Sequence, residues 1–295
     1  MINKKIAVVG IPGKWSTEAL ANALEEKTGF RLVVDMADVT ADLAAGTVMA
    51  KGVDLTGLDG VVVKKITEIY SPDALDRLEL LRIAEAAGVR VFSPAVNILR
   101  LINRLSCTVT LRNGGIPMPK TRVTENVDVA IAAVKAFGSA VFKPLYSTKA
   151  RGMTVIDSIQ PDAEIFDAVT AFKAENPMMY IQQKLSLPGQ DLGLVFLGGV
   201  YHGAYARVAK NDAWNTTINS GGKYAPFECD KDVIEMARRA QALFDMDFTT
   251  VDVALTDQGP IVFEVSAFGG FRGAKEGIGI DAAALYADYV LDAVS

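Results

Sequence analysis

Continuous apolar runs alternate with amphipathic stretches through the first hundred residues of the chain. The runs are KKIAVVGI (4–11), RLVVDM (31–36), LDGVVVKKI (58–66) and VRVFS (89–93). None leaves a polar face, which is the pattern of strands in a parallel sheet covered on both sides. The stretches TEALANALEEKTG (17–29) and PDALDRLELLRIAEAAG (72–88) have helical spacing and stop at Gly29 and Gly88, where glycine ends a helix without steric cost. This alternation predicts a Rossmann-like α/β unit.

A single helix rich in Asn, Arg and Leu is predicted from Pro94 through Asn113, ended by the turn GGIPMP (114–119). Two prolines two positions apart suit neither a helix nor a central strand, so the turn is a connection between domains or subdomains. Helices are then predicted at 127–138 and 164–175, with strands at 139–146, 153–157 and 178–185. Two alternating strands, 192–199 and 200–208, meet at Gly198-Gly199, and a polar segment covers 210–224. A helix at 232–244, strands at 248–256 and 260–268, a glycine loop and a final helix at 281–294 complete the pattern. No internal repeat is present.

The 295 residues are half apolar, enough for roughly two folding units. A net charge of −5 gives no electrostatic reason to bind nucleic acid or anionic membrane. The N-terminal run IAVVGI is too short for a secretory signal, and no apolar run approaches the roughly 20 residues of a membrane span, so a cytoplasmic protein is expected. His202 is the one histidine, and Cys107 and Cys229 are isolated cysteines. Ser-His, Cys-His and zinc chemistries therefore have too few participants. His202 reads as a surface residue of its strand and the cysteines as apolar fillers. The first turn, Gly10-Ile11-Pro12-Gly13-Lys14-Trp15, carries neither a G-x-G-x-x-G fingerprint nor P-loop spacing. Lys14 is a loop lysine, or one turned toward substrate because it follows a strand end.

Asp252 and Glu264 are lone carboxylates among β-branched and aromatic residues on the strands that flank the Asp257-Gln258-Gly259-Pro260 turn. Converging on one face they would suit a hard divalent cation with phosphates filling the remaining positions; pointing outward they would simply be solvated. Lys143, between Phe142 and Pro144, is either a phosphate cation or a lysine reaching solvent along its stem. The polar, basic loop that follows, through Ser147, Thr148, Lys149, Arg151 and Gly152, could close over a polyphosphate or form a solvated hairpin tip.

In this order the features resemble the ATP-grasp superfamily, and within it the RimK-like carboxylate–amine ligases with their glutathione-synthetase-type ATP-binding domain. The likeness covers nearly the whole chain: GIPMPKT after the helix, VFKPLYSTKARGM, YIQQKL, GQDLGLVFLGGVYHGAYARV, and the strand pair TTVDVAL and IVFEVSAFGGFRG. It implies an α/β fold, with a Rossmann-like pre-ATP-grasp domain at 1–94 and an ATP-grasp domain at 95–295. The latter would be an α+β lid, about 119–185, over a base.

The resemblance also implies roles. Lys143 and Arg104, where the family usually has lysine, contact the ATP phosphates under the loop of Ser147, Thr148, Lys149, Arg151 and Gly152. Gln182, Gln183, Lys184 and Leu185 hold adenine largely through backbone groups, and Asp191 lies near ribose. Arg207 stabilises the γ-phosphate and the acyl-phosphate, so that Arg207 and Lys143 are the catalytic residues. Asp252, Glu264 and Ser266 hold one or two magnesium ions. Arg272 and Lys275, on the glycine loop 269–273 and just beyond it, are candidate substrate contacts or part of an exposed connection, and Thr217 is a further candidate. The chain departs from the family pattern in several places. Ser266 replaces asparagine, Ser147 and Ala150 replace loop glycines, Gly193 replaces the arginine of a D-x-R motif, and Thr217 and Ser220 replace asparagine and arginine.

The implied activity is ATP- and magnesium-dependent ligation of a carboxylate to an amine through an acyl-phosphate, releasing ADP. The substrates would be small molecules or peptides. The alternatives are an ATP-grasp phosphotransferase of the kinase kind and a nucleotide-binding partner protein with weakened or lost catalysis. Relatives commonly associate through the N-terminal domain, which leaves a homo-oligomer open.

Overall fold

The structure, a computed structural model, describes residues 3–148, 150–210, 216 and 221–295. Strands β1 (Ile6–Val9) and β2 (Val33–Val34) are the first two of the N-terminal sheet, and the helix α1 (Trp15–Thr28) joins them. Gly29 closes α1 at φ 73°, the left-handed geometry its position demands. Three short antiparallel strands that the hydrophobic pattern does not single out follow: β3 (Thr40–Asp42), β4 (Thr47–Ala50) and β5 (Val53–Asp54). Then come β6 (Gly60–Val63), α2 (Asp73–Ala86) and β7 (Arg90–Phe92). The order β2-β1-β6-β7 is parallel throughout, as the continuous apolar runs require.

The single helix expected over 94–113 is two helices, α3 (Ala95–Ile102) and α4 (Arg104–Asn113). Asn103 breaks it: its backbone is extended and its side-chain oxygen accepts from the N–H groups of Leu105 and Ser106, the ordinary device of an N-cap. The break makes Arg104 the first residue of a new helix.

A second sheet, in the order β10-β9-β11-β8, is antiparallel where its strands meet. It consists of β8 (Thr121–Thr124), β9 (Ser139–Lys143), β10 (Thr154–Asp157) and β11 (Met179–Gln183), backed by α5 (Val127–Phe137) and α6 (Asp162–Glu175). Its apolar cluster is drawn from residues 127–181.

The largest sheet has the order β14-β13-β12-β15-β16 and is antiparallel. Its strands are β12 (Gln190–Leu197), β13 (Val200–Val208), β14 (Lys223–Phe227), β15 (Phe248–Thr256) and β16 (Gly259–Val265). Helices α7 (Lys231–Ala242), α8 (Phe271–Ile278) and α9 (Ala282–Ala293) pack on it. Two apolar clusters join this sheet to the N-terminal one. One combines Val9 and Val63 with Leu194 and Val253, the other Ile6 and Leu20 with Phe248 and Val290. The N-terminal unit and the base thus share their hydrophobic cores. No helix among the described residues is long and apolar enough to cross a membrane.

Candidate active site

Strand register brings the acidic pair together. Asp252 on β15 lies directly opposite Glu264 on β16 and, on its other side, opposite Gly193 on β12. Asp191 lies opposite Arg207, and Arg207 opposite Tyr224. Residues directly opposite in an antiparallel pair point to the same face, so the two carboxylates share a face, Asp252 largely buried and Glu264 partly open to solvent.

Arg207 bridges two carboxylates. Its Nε donates to Asp191 at 3.1 Å, its Nη2 also bonds Asp191, and Nη2 stands 3.0 Å from Asp252 Oδ2. The hydroxyl of Thr216 donates to Asp191 as well. Asp191 therefore lines the cavity where ribose contact was expected, but its carboxylate is already engaged. Burial pushes the Asp252 carboxyl up to about 7; Arg207 opposes the rise, and Glu264 and Asp191 add to it. Arg207 is held well above its ordinary value by Asp252 and Asp191, against the opposing effect of its own burial.

The second sheet supplies the opposite wall. Lys143 ends β9, and its Nζ donates to Gln182 Oε1 at 2.5 Å. Gln182 is fixed in turn by Tyr180, whose hydroxyl lies 2.9 Å from that of Thr108 on α4. Burial brings the Lys143 ammonium down to about 7; Arg104 adds to the fall, and Glu264 opposes it. The N–H groups of Gln183 and Lys184 are bonded to Lys120 and Ser139 carbonyls, so these two hinge donors are taken up by the sheet.

Arg104 ties the walls together. Its guanidinium bonds the Pro144 carbonyl at 3.1 Å, the Ser147 carbonyl at 3.4 Å and Glu264 Oε2 at 3.2 Å. In the loop beyond, the Ser147 hydroxyl bonds the Arg151 carbonyl, Ala150 takes φ 57° and Gly152 φ 67°. Alanine thus holds a left-handed conformation that glycine adopts without cost.

A cavity of about 360 Å³ lies between the walls. Arg104, Lys143, Ser147, Thr148, Gln182, Gln183, Lys184, Leu185, Asp191, Arg207, Asp252 and Glu264 all line it. Val141, Met153, Leu187 and Phe263 add apolar surface suited to a purine ring, and Ala150, Thr216 and Tyr224 complete the lining. The alternation that puts Val141 on the same face of β9 as Lys143 is legible in the sequence; the part of Tyr224 depends on register and that of Thr216 on its bond to Asp191.

Among the described residues no three His, Cys, Asp or Glu side chains cluster as a ready metal cage. The pair still fits a cation completed by phosphate oxygens. Asp252 Oδ1 is buried without a hydrogen-bond partner, and Glu264 stands directly across from it. An orphaned carboxylate oxygen in such a place needs a donor or a cation.

A second cavity of about 310 Å³ shares Arg104, Arg207 and Glu264 with the first and reaches Ser266, Tyr205 and the turn at Phe268–Gly270. Ser266 therefore stands beside Glu264 in this second chamber. A third cavity is walled by Lys14, Lys64, Lys65, Glu68 and Arg151. Lys64, absent from the sequence-based candidates, is buried and donates to the carbonyls of Phe268 at 2.6 Å and Gly269 at 3.0 Å. Its signal is a charge at the end of the apolar run LDGVVVKK. Gly152 lies in the loop but lines none of these three cavities.

The segment expected to be a glycine loop is helical from Phe271, so Arg272 and Lys275 lie on α8. Arg272 is 3.5 Å from Glu276, and both cations face the Trp15 ring, at 5.9 and 5.5 Å. Helical geometry turns them away from all three cavities, which corrects their expected place on a loop bordering substrate. Lys149, Thr217 and Ser220 lie outside the described residues.

Comparison with known proteins bears on the fold and the family. The model of the RimK-like ATP-grasp domain matches residues 102–290. The tetrahydromethanopterin:alpha-L-glutamate ligase of Methanosarcina acetivorans is 24% identical over 319 residues, covering 97% of this chain and 98% of the relative. The ribosomal protein bS6–L-glutamate ligase of Escherichia coli O139:H28 is 26% identical over 245 residues, 81% of this chain and 79% of the relative. Among solved structures, the ATP-grasp ligase PsnB complexed with minimal precursor, Mg and ADP superposes with a TM-score of 0.75 at 18% identity, covering 100% of this chain and 99% of that one. A RimK domain ATP-grasp protein from Sphaerobacter thermophilus does so at 0.75 and 21%, over 97% and 99%. At these identities the structural likeness speaks for the fold, and the match over 102–290 for the family. The chain belongs to the RimK-like ATP-grasp family.

Proposed function

We propose that the protein is an ATP- and magnesium-dependent ligase that joins a carboxylate to an amine, releasing ADP and phosphate. The observation that carries this reading is the convergence of Lys143 and Arg104 with the Asp252–Arg207–Asp191 cluster on one cavity. ATP would lie between the lid, about 119–185, and the base. Val141, Leu185 and Phe263 would pack its purine, and Ser147 and Thr148 would border its phosphates. Asp252 and Glu264 would hold at least one magnesium ion, with Ser266 beside Glu264 as the candidate ligand of a second. When bound, magnesium supplies neutralisation of the negative charge shared by the phosphate oxygens.

The chain's own groups account for the rest. A substrate carboxylate oxygen attacks the γ-phosphorus, the bond to the β-phosphate oxygen breaks, and ADP leaves. Lys143 and Arg104 offer fixed positive charge to the phosphates, and Arg207, oriented by its two carboxylates, offers it to the transferring group. An amine nitrogen then attacks the acyl carbon, phosphate departs and the nitrogen loses a proton. None of these steps needs a side-chain nucleophile, in keeping with free cysteines that are buried or partly buried. The curated relatives are glutamate ligases, so L-glutamate is the amine to try first.

The test is a thermal shift with Mg-ATP, followed by ADP release with L-glutamate and pooled carboxylates. A Mg-ATP shift and acid-dependent ADP release are expected. A shift without ADP release across broad pools would refute ligation, and no shift at all would refute the nucleotide site.

A further inference from the structure

Tyr205 lies on β13 two residues before Arg207 and is 2% exposed. Four glycines enclose it. A Cβ at Gly193 would fall 2.5 Å from its ring and at Gly273 2.2 Å, at Gly277 2.4 Å from its Cβ, and at Gly270 2.8 Å from its hydroxyl oxygen. Gly193 lies opposite Tyr205 on one side and opposite Asp252 on the other. The space beside Asp252 that a side chain at 193 would fill therefore holds the phenol. Glycines at 273 and 277, one turn apart on α8, open the groove that admits it.

Phenylalanine would fill this cradle equally well, so packing does not explain the hydroxyl. Among the described residues that hydroxyl makes no hydrogen bond, although the residue lines the second cavity with Arg207, Glu264 and Ser266. Its open side is the chamber that adjoins the nucleotide cavity, where a bound group can take the hydrogen bond that the protein leaves unused. Burial also pushes its pKa up, with Asp252 adding to the rise against Arg207, so the group stays protonated as a donor.

We propose that Tyr205 is a substrate contact, its hydroxyl donating a hydrogen bond to the carboxyl group that is activated in the second chamber. This rests on the ligase reading and adds to it the residue that selects and orients the acid. Gly193 and Tyr205 form a matched pair, because any larger residue at 193 displaces the ring.

The test compares wild type with Tyr205→Phe, using acetate, succinate and N-acetyl-L-glutamate as probe acids and L-glutamate as amine. Expected for the variant are an unchanged melting temperature, an unchanged shift with Mg-ATP, and a roughly tenfold rise in the apparent KM for the acid. The stabilisation that the same acid confers on the Mg-ADP form should weaken in parallel. Gly193→Ala, which keeps the hydroxyl but moves the ring, should give a comparable rise. A Tyr205→Phe protein with the wild-type KM, or one that melts lower while KM holds, overturns the proposal and leaves the ligase reading standing. A wild type that takes Mg-ATP but responds to none of the three acids overturns the assignment of the chamber. A wild type without any Mg-ATP shift overturns both.

Discussion

Lys143 donates a 2.5 Å hydrogen bond to the side chain of Gln182, on the neighbouring strand of the same lid sheet. The bond aims the ammonium, but burial leaves it with a pKa of about 7, and Arg104 and Glu264 are the charged groups facing it. Polyphosphate favours the charged form. Above pH 7 nucleotide binding must therefore draw a proton onto Lys143, and affinity falls by up to about tenfold per pH unit until the pKa of the complex is reached. Calorimetry of Mg-ATP binding between pH 7 and 9 should show both the loss of affinity and the proton uptake. Lys143→Met should bind weakly and nearly independently of pH; an equally steep profile in that variant would assign the titration elsewhere.

Asp252 presents a buried carboxylate oxygen with no partner in the metal-free protein. Asp252→Asn removes a desolvated charge and leaves Arg207 paired with Asp191. The metal-free variant should melt higher than wild type at pH 8, by about 1 kcal/mol of stability. Magnesium-dependent ADP release should drop by roughly a hundredfold or more. Greater stability with retained turnover would remove Asp252 from the metal site.

Lys64 holds the turn that leads into α8 through two carbonyl bonds and contact with the Phe271 ring at 4.3 Å. Lys64→Met keeps the stem and loses the donors, leaving two buried carbonyls unsatisfied. A loss of about 2–3 kcal/mol in urea unfolding is expected, with the Mg-ATP shift intact. Unaltered stability would mean that these carbonyls find other partners.

Asn103 both caps α4 and, through Nδ2, donates to the Tyr146 hydroxyl at 3.1 Å. Asn103→Ala should cost about 1 kcal/mol and let Arg104 swing away from the Pro144 and Ser147 carbonyls. A several-fold weaker Mg-ATP affinity is the expected sign, read by titration calorimetry. If stability falls while affinity holds, Arg104 is oriented without its cap.

The fold was legible wherever period and burial coincide. Runs such as IAVV and GVVV read directly as two-sided strands, and the lid helices were plain from their spacing. The break at Asn103 was hidden because apolar residues continue through it and only the capping side chain marks the new start. Helix α8 was hidden by its composition. Glycine disfavours a helix interior by about 1 kcal/mol relative to alanine, and Gly273 and Gly277 are present because Tyr205, distant in sequence, needs their missing side chains. Of the site, Arg104 and Arg207 came from the family resemblance, whereas the acidic pair and Lys143 were visible as charges in apolar strands. Thr216, Lys64 and Tyr205 were not, since their roles come from register and from contacts between units far apart along the chain.

The apolar cluster of the lid is assembled from residues 127–181, whereas the base and the N-terminal unit pool theirs. The ties that run from α3–α4 to residues 144–180 include the hydrogen bonds of Arg104 to Pro144 and Ser147, Asn103 to Tyr146 and Thr108 to Tyr180, and Tyr146 also packs against the shared core. A movement of the second sheet would therefore leave its own hydrocarbon interior intact and exchange these hydrogen bonds, with the Tyr146 contact, for water. Access to the cleft would then be largely a problem of polar solvation, with one tyrosine as its apolar share.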